Sequence, residues 1–245
     1  MKTVVIVQAR MTSTRLPGKV MMPILKKAML EHQLGRLARV ETAAEIIVAM
    51  TSNSADIPIR SLCERLRVRY FCGPEEDVLS RCHGAARARH AGAVVRITAD
   101  CPLIDPGVVD EIIAYYLRNA PKFDYVSNTL VRTYPRGLDC EVFSFDSLQQ
   151  AFLEATARSD REHVTPFIYR RPERFRLGDV RYDEDHSHHR WTVDTAEDFE
   201  LVRRIIEALS PMHPHFTWLD CLNLVRQHPD WEQLNAHIAQ KEIGL

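Results

Sequence analysis

Residues 3–19, TVVIVQARMTSTRLPGK, decide how the rest of the chain is read. Residues 3–7 are short, continuously apolar and β-branched, the composition of a strand buried on both faces. Directly after them, residues 8–19 gather Arg10, Arg15 and Lys19, the hydroxyls of Thr12, Ser13 and Thr14, and a Pro17-Gly18 turn signal. A buried strand running into such a loop matches the phosphate-binding end of an α/β sheet, where backbone N–H groups and cationic side chains converge at strand carboxyl ends. Taken alone, the same residues also suit a solvated basic turn.

Working outward, residues 29–40 place Met29, Leu30, Leu34, Leu37 and Val40 at helical spacing, and residues 45–50 read as a strand. Asp56 or Pro58 opens the next helix, with Ile59, Leu62, Cys63 and Leu66 inside, before a short strand at 68–72. Gly73-Pro74 marks a turn; a helix is predicted over 75–90, a strand over 93–98 (AVVRIT), and a helix capped by Asp105-Pro106 to about 119. Repeated strand–helix alternation with short connections predicts an α/β fold with a mainly parallel central sheet flanked by helices on both faces. Beyond Pro121 the pattern loosens. Strands are expected at 124–127, 139–145, 174–182 and 190–193, and helices at 147–156 and 160–169. The end of the chain reads as helices at 196–209, 218–227 and 229–239. Without an internal repeat or linker, the expectation is one domain over 1–245, with an excursion at about 121–182 and a helical C-terminal part at about 196–245.

A hydrophobic fraction of 45%, a charged fraction of 27% and a formal net charge of -1 give no global attraction to nucleic acid or anionic membrane, so neither is an expected partner. Any basic site must be local. The N-terminal apolar run is too short for a signal-peptide core or a bilayer span, and a cytoplasmic location is expected. Six cysteines lie scattered without a C-x-x-C pair, which argues for free, buried thiols and against a zinc ribbon or redox motif.

Two acidic positions complete a candidate site. Asp100, in RITADCPLIDP (96–106), follows a buried strand in a proline-fixed turn, which projects it at the same sheet end as the basic loop. Asp105 fits a helix N-cap instead. In RWTVDTAEDF (190–199), Thr195 suits the cap of the following helix, leaving Asp194 free to bind metal. Carboxylates from separate strand ends beside a basic loop suit Mg²⁺ shared with substrate phosphates, the equipment of phosphoryl or nucleotidyl transfer.

Five stretches in order carry a resemblance: QARMTSTRLPGK (8–19), GPEEDVLSR (73–81), RITADCPLIDP (96–106), GLDCEVFS (137–144) and HHRWTVDTAEDFELV (188–202). Together they resemble the cytidylyltransferase family that makes CMP-activated sugar acids such as CMP-Kdo and CMP-sialic acid, and most of all its spore-coat-polysaccharide SpsF branch. The resemblance implies a nucleotide-diphospho-sugar transferase, Rossmann-like fold, and an enzyme that joins CMP from CTP to a sugar acid with Mg²⁺ as cofactor and pyrophosphate as leaving group. It implies that Ala9, Arg10, Arg15 and Lys19 hold the nucleotide and its triphosphate, with Arg81 a weaker match. It makes Asp100 and Asp194 the metal ligands, and Lys19, Arg15 and Asp100 the catalytic group. Ala99 departs from the family's usual glycine, which puts nucleotide affinity in question. The excursion becomes the acceptor side, with Arg132, Tyr134, Arg136, Asp139 and Glu141 as candidates, and often the contact of a homodimer. Two alternatives stay open: another nucleotide or a phosphorylated acceptor on the same fold, or a non-catalytic nucleotide-binding partner of a polysaccharide-assembly enzyme.

The run His186-Ser187-His188-His189 invites a transition-metal reading, but no acidic or cysteine partner stands at a known spacing. Substrate contact through His188 is the preferred functional reading. Phe216, Trp218 and Trp231 read as helix packing.

Overall fold

The computed structural model describes residues 1–240. Its strands are β1 (Thr3–Gln8), the short pair β2 (Pro23–Ile24) and β3 (Lys27–Ala28), β4 (Glu45–Thr51), β5 (Arg69–Gly73), β6 (Ala93–Thr98), β7 (Tyr125–Ser127), β8 (Glu141–Ser144) and β9 (Leu177–Asp179). The α-helices are α1 (Met29–Leu37), α2 (Ile57–Leu66), α3 (Val78–Ala88), α4 (Pro106–Arg118), α5 (Phe145–Glu154), α6 (Arg158–His163), α7 (Pro166–Tyr169), α8 (Ala196–Leu209), α9 (Trp218–Gln227) and α10 (Pro229–Glu232).

Seven strands form one sheet in the order β5-β4-β1-β6-β8-β7-β9. β5, β4, β1 and β6 are parallel, β8 runs antiparallel to both β6 and β7, and β7 and β9 are parallel. The expected α/β fold with a mostly parallel sheet between helical layers is therefore present. Residues 4–7 of β1 are all apolar because both its faces are covered. Val5 and Val7 join one core with α1, α2, α4, α8 and α9, while Val4 and Ile6 join the other with α3, α5 and α7. Burying such a side chain contributes on the order of 1.5–3 kcal/mol, so this central strand anchors both layers.

Several predicted elements change shape. The helix expected at 75–90 begins at Val78, capped by Asp77, whose carboxylate accepts from Ser80 N. The helix expected at 160–169 breaks into α6 and α7 at Val164, a β-branched residue at φ 73, just before Pro166 removes a backbone donor. The strand expected at 190–193 is instead a single parallel bridge, Arg136 to Arg190. The expected strand at 174–182 shrinks to β9, and the helix expected at 229–239 shrinks to α10. Residues 241–245 of the expected helical part lie outside the described residues. Among the described residues no helix is long and apolar enough to cross a membrane.

Candidate active site

The basic loop after β1 is folded by its own turn chemistry. Gly18 takes φ 73, its N–H donates to Met11 O at 2.8 Å, and Lys19 N donates to Leu16 O at 3.2 Å. The positive φ is the reason for glycine at this turn position. Asp56, expected only to open α2, anchors the loop from the turn after β4: its carboxylate accepts from Met11 N at 2.7 Å, Thr51 N at 2.8 Å and Thr51 Oγ1 at 2.6 Å. The Thr12 hydroxyl donates to Glu75. These contacts send Lys19 inward, where it is 7% exposed.

Lys19 Nζ meets three oxygens: Val193 O at 2.6 Å, Asp194 Oδ1 at 2.8 Å and Asp100 Oδ2 at 3.2 Å. The two aspartates predicted from separate stretches thus converge on one cation. Their loops are tied together directly, since Val193 N donates to Asp100 O at 2.8 Å. Burial by itself lowers the Lys19 ammonium pKa, but the charges of Asp100 and Asp194 outweigh it and hold it above its ordinary value. Burial conversely pushes the Asp100 carboxyl up, and Lys19 with the Thr98 hydroxyl overcomes that and holds it below the usual carboxylate range.

Asp194 is positioned from behind. Thr195 caps α8 in a capping box with Asp198, as expected, which leaves the Asp194 side chain out of the cap. Asp198 is fully buried; it accepts from Asp194 N at 2.9 Å and from Arg190 Nε at 2.9 Å. Arg190 Nη2 and Arg15 Nη2 reach Asp194 Oδ2 at 3.2 and 2.8 Å. Asn235, missed in the sequence, donates to Arg190 O and Asp198 Oδ1, both at 2.8 Å. Gln240 Oε1 accepts from Arg190 Nη1 at 2.5 Å. The donor set fits Mg²⁺: Asp100 and Asp194 supply hard carboxylate oxygens that already converge on one cationic group, and Mg²⁺ is commonly held by one or two carboxylates plus substrate phosphates.

Ala9, Arg10, Arg15, Lys19, Arg81, Asp100, Arg136 and Asp194 all line one cleft of about 400 Å³. Ala99 is buried in its floor, takes no positive φ, and donates its N–H to Gln8 O at 3.0 Å. The turn that carries Asp100 therefore accepts its methyl group without backbone strain. Arg81 is 1% exposed and donates to Pro74 O at 2.6 Å, so it shapes the GPEED turn at the cleft edge. Arg96, also missed, lines the cleft and donates to Gln8 Oε1 at 3.2 Å. A charged residue within the apolar strand AVVRIT was its signal.

The acceptor-side candidates separate. Arg136 lines the cleft and also an adjoining cavity of about 380 Å³ that contains His188, His189, Glu232 and Asn235. No carboxylate within 4.0 Å pairs with its guanidinium among the described residues, whereas Arg132 is held by Asp139. Glu141 lies away from the cleft: its carboxylate accepts from Arg96, from Tyr125 OH at 2.7 Å and from Thr165 Oγ1 at 2.6 Å. It therefore braces Arg96 rather than facing the cleft itself. Tyr134 is 1% exposed and packs edge-on against Trp218, in the core. Burial, with His188 and His186 nearby, pushes the His189 imidazole down to about 4.

Comparisons with known proteins give the family and the fold. The cytidylyltransferase family profile matches residues 4–243. The spore coat polysaccharide biosynthesis protein SpsF of Bacillus subtilis is 28% identical over 232 residues, covering 92% of this chain and 94% of its own. A solved cytidylyltransferase from Leptospira borgpetersenii superposes with a TM-score of 0.91 at 28% identity, covering 99% of both chains. A CMP:2-keto-3-deoxy-manno-octonic acid synthetase solved in complex with CTP shares the fold, with a TM-score of 0.66 at 18% identity over 85% of this chain and 99% of that one. The chain belongs to the cytidylyltransferase family, enzymes of the nucleotidyltransferase type.

Proposed function

We propose that this chain transfers the cytidylyl group of CTP to a sugar acid or a related precursor of surface polysaccharide, releasing pyrophosphate in the cytoplasm. The observation that carries the reading is the convergence of Asp100 and Asp194 on Lys19, with Arg15 joined to Asp194 at the mouth of the basic loop. Such a site presents paired carboxylates and fixed cations to a nucleoside triphosphate. Family membership and the CTP complex of a similarly folded synthetase favour cytidine as the base. SpsF, from a polysaccharide pathway, favours the class of product.

In the reaction, an acceptor oxygen forms a bond to the α-phosphorus of CTP while the bond from that phosphorus to the pyrophosphate oxygen breaks. Asp100 and Asp194 would hold Mg²⁺, which when bound neutralises phosphate oxygens. Arg10, Arg15 and Lys19 bind the triphosphate, and Arg15 and Lys19 stabilise charge gathering on the departing pyrophosphate. Val193 O and the two aspartates hold Lys19 in place beforehand, and it binds phosphate by exchanging one of its three N–H bonds, released as the aspartates take up the ion. Arg136, without a carboxylate partner among the described residues and open to both cavities, receives the acceptor carboxylate in a bidentate pair. His188 stands on the same side.

The test is a pyrophosphate-release screen of four nucleoside triphosphates with Mg²⁺ against Kdo, nonulosonic acids and several sugar or polyol phosphates. Turnover is expected with CTP and an acid acceptor. Turnover confined to another nucleotide, or to phosphorylated acceptors, would replace this reading.

A further inference from the structure

The adjoining cavity contains a second group of metal-binding atoms, distant in chemistry from the carboxylate pair. One ligand atom each from His188, His189 and Glu232 lies within 4.8 Å of the others, and all three residues line the cavity that Arg136 joins to the main cleft. His189 Nδ1 and Glu232 Oε1 are already 2.5 Å apart. The His188 and His189 ring centroids are 4.0 Å apart, and His186 adds a third imidazole 6.0 Å from His189. The acidic residues directly before the run, Asp183, Glu184 and Asp185, do not join this group; the fold brings its carboxylate from α10, 43 residues beyond His189.

We propose that His188, His189 and Glu232 form a binding site for a borderline divalent cation of the Zn²⁺ type, separate from the Mg²⁺ position at Asp100 and Asp194. Two imidazole nitrogens and one carboxylate oxygen make a donor set that suits Zn²⁺ and Co²⁺ and is poor for Mg²⁺. Three protein ligands leave a coordination position for a small molecule, as in zinc sites that act on substrate. That position adjoins the cavity where Arg136 is open to an acid. An ion there takes the place of the proton between His189 Nδ1 and Glu232 Oε1; the neutral imidazole keeps its one proton by carrying it on Nε2 instead, so no net proton is released. The imidazole nitrogen and the carboxylate oxygen then each bind the ion, with no oxidation change. His189 is buried and bonded through its backbone, its N–H donating to His186 O at 3.1 Å and its carbonyl accepting from Arg136 N at 3.0 Å, so the ligand is held on a fixed frame. Exposed His188 and half-buried Glu232 close on it.

The experiment titrates Co²⁺ into the untagged full chain after chelator treatment, with excess Mg²⁺ present to occupy the carboxylate pair. Absorption by the cobalt d–d bands and calorimetry are the readouts, with no substrate needed. One equivalent is expected to bind at micromolar affinity, with the intense bands of a four- or five-coordinate site that Zn²⁺ then abolishes. His188→Asn and Glu232→Gln, at positions that are not fully buried, are each expected to weaken binding by about tenfold or more, with unchanged melting temperature. Absence of the bands, or retention of wild-type affinity in either variant, overturns the assignment. The nucleotide screen neither uses nor depends on this result, so either proposal can fail alone.

Discussion

The two sides of the sheet that meet at the cleft are built on different principles. On one side β5, β4, β1 and β6 are parallel and joined by helices, with β1 and β6 in the sheet's interior, and two cations of the loop after β1 are paired within the protein: Lys19 and Arg15 with Asp194, Lys19 also with Asp100. On the other side β8 runs against its neighbours, and β7 and β9 are three residues each. There the candidate surface comes from loops joined at the Arg136–Arg190 bridge, and Arg136 has no carboxylate partner among the described residues. Buried charges require partners, because an uncompensated charge in a dry interior costs several kcal/mol. In the proposed reaction the first side is preset for a phosphate of fixed chemistry, while the second keeps a cation open for an anion supplied from outside.

The largest effect expected from breaking this contrast lies on the first side. Asp100→Asn and Asp194→Asn should each lower pyrophosphate release by roughly a thousandfold or more, the scale of losing one oriented electrostatic group at a reacting centre. Either variant turning over at the wild-type rate would remove that residue from the site. On the second side, Arg136→Ala should raise the acceptor KM by about 10- to 100-fold, the range for one charge-assisted pair. The KM for CTP should stay unchanged; a parallel rise in both would place Arg136 with the nucleotide instead.

Smaller effects probe the joints. Gly137 has φ 105, and a Cβ there would lie 2.7 Å from Trp191 C and 2.8 Å from Thr192 N, backbone atoms that cannot swing aside. Gly137→Ala should destabilise by more than about 1 kcal/mol and lower Tm by at least a few degrees. An unchanged melting curve would mean that the contact between the acceptor loop and the Asp194 segment is loose. Ala99→Gly should cost about 1 kcal/mol or slightly more, from a lost buried methyl and a freer unfolded chain. Its KM for CTP should move less than about twofold, because Ala99 already fits; a marked tightening would show that the methyl crowds the nucleotide.

Legibility in the sequence follows the same division. β1, β4 and β6 are mostly apolar runs ended by turn residues, interrupted in β6 only by Arg96, and α8 and α9 carry Thr caps, so local patterning agrees with tertiary packing there and their positions could be read directly. The charged motifs could be read too, since the loop and both aspartates follow such elements. Residues 190–193 could not: they look like a strand because Trp191 and Val193 alternate inward, yet they pair with loops at Arg136 and Asp100 instead of a sheet. Glu141 looked like an acceptor contact because nothing local marks Arg96, Tyr125 and Thr165 as its partners. Asn235 and Glu232 reach their places by tertiary contacts across more than 35 residues of chain, which no spacing pattern encodes.

The central claim is that Asp100 and Asp194 share one divalent ion with the triphosphate. Its most direct test is electron paramagnetic resonance titration of Mn²⁺, standing in for Mg²⁺, into the CTP-bound chain. Tight Mn²⁺ binding in the wild-type complex, weakened about tenfold or more to the same degree by Asp100→Asn and Asp194→Asn, is the predicted result. Wild-type Mn²⁺ affinity in either variant would contradict the shared site.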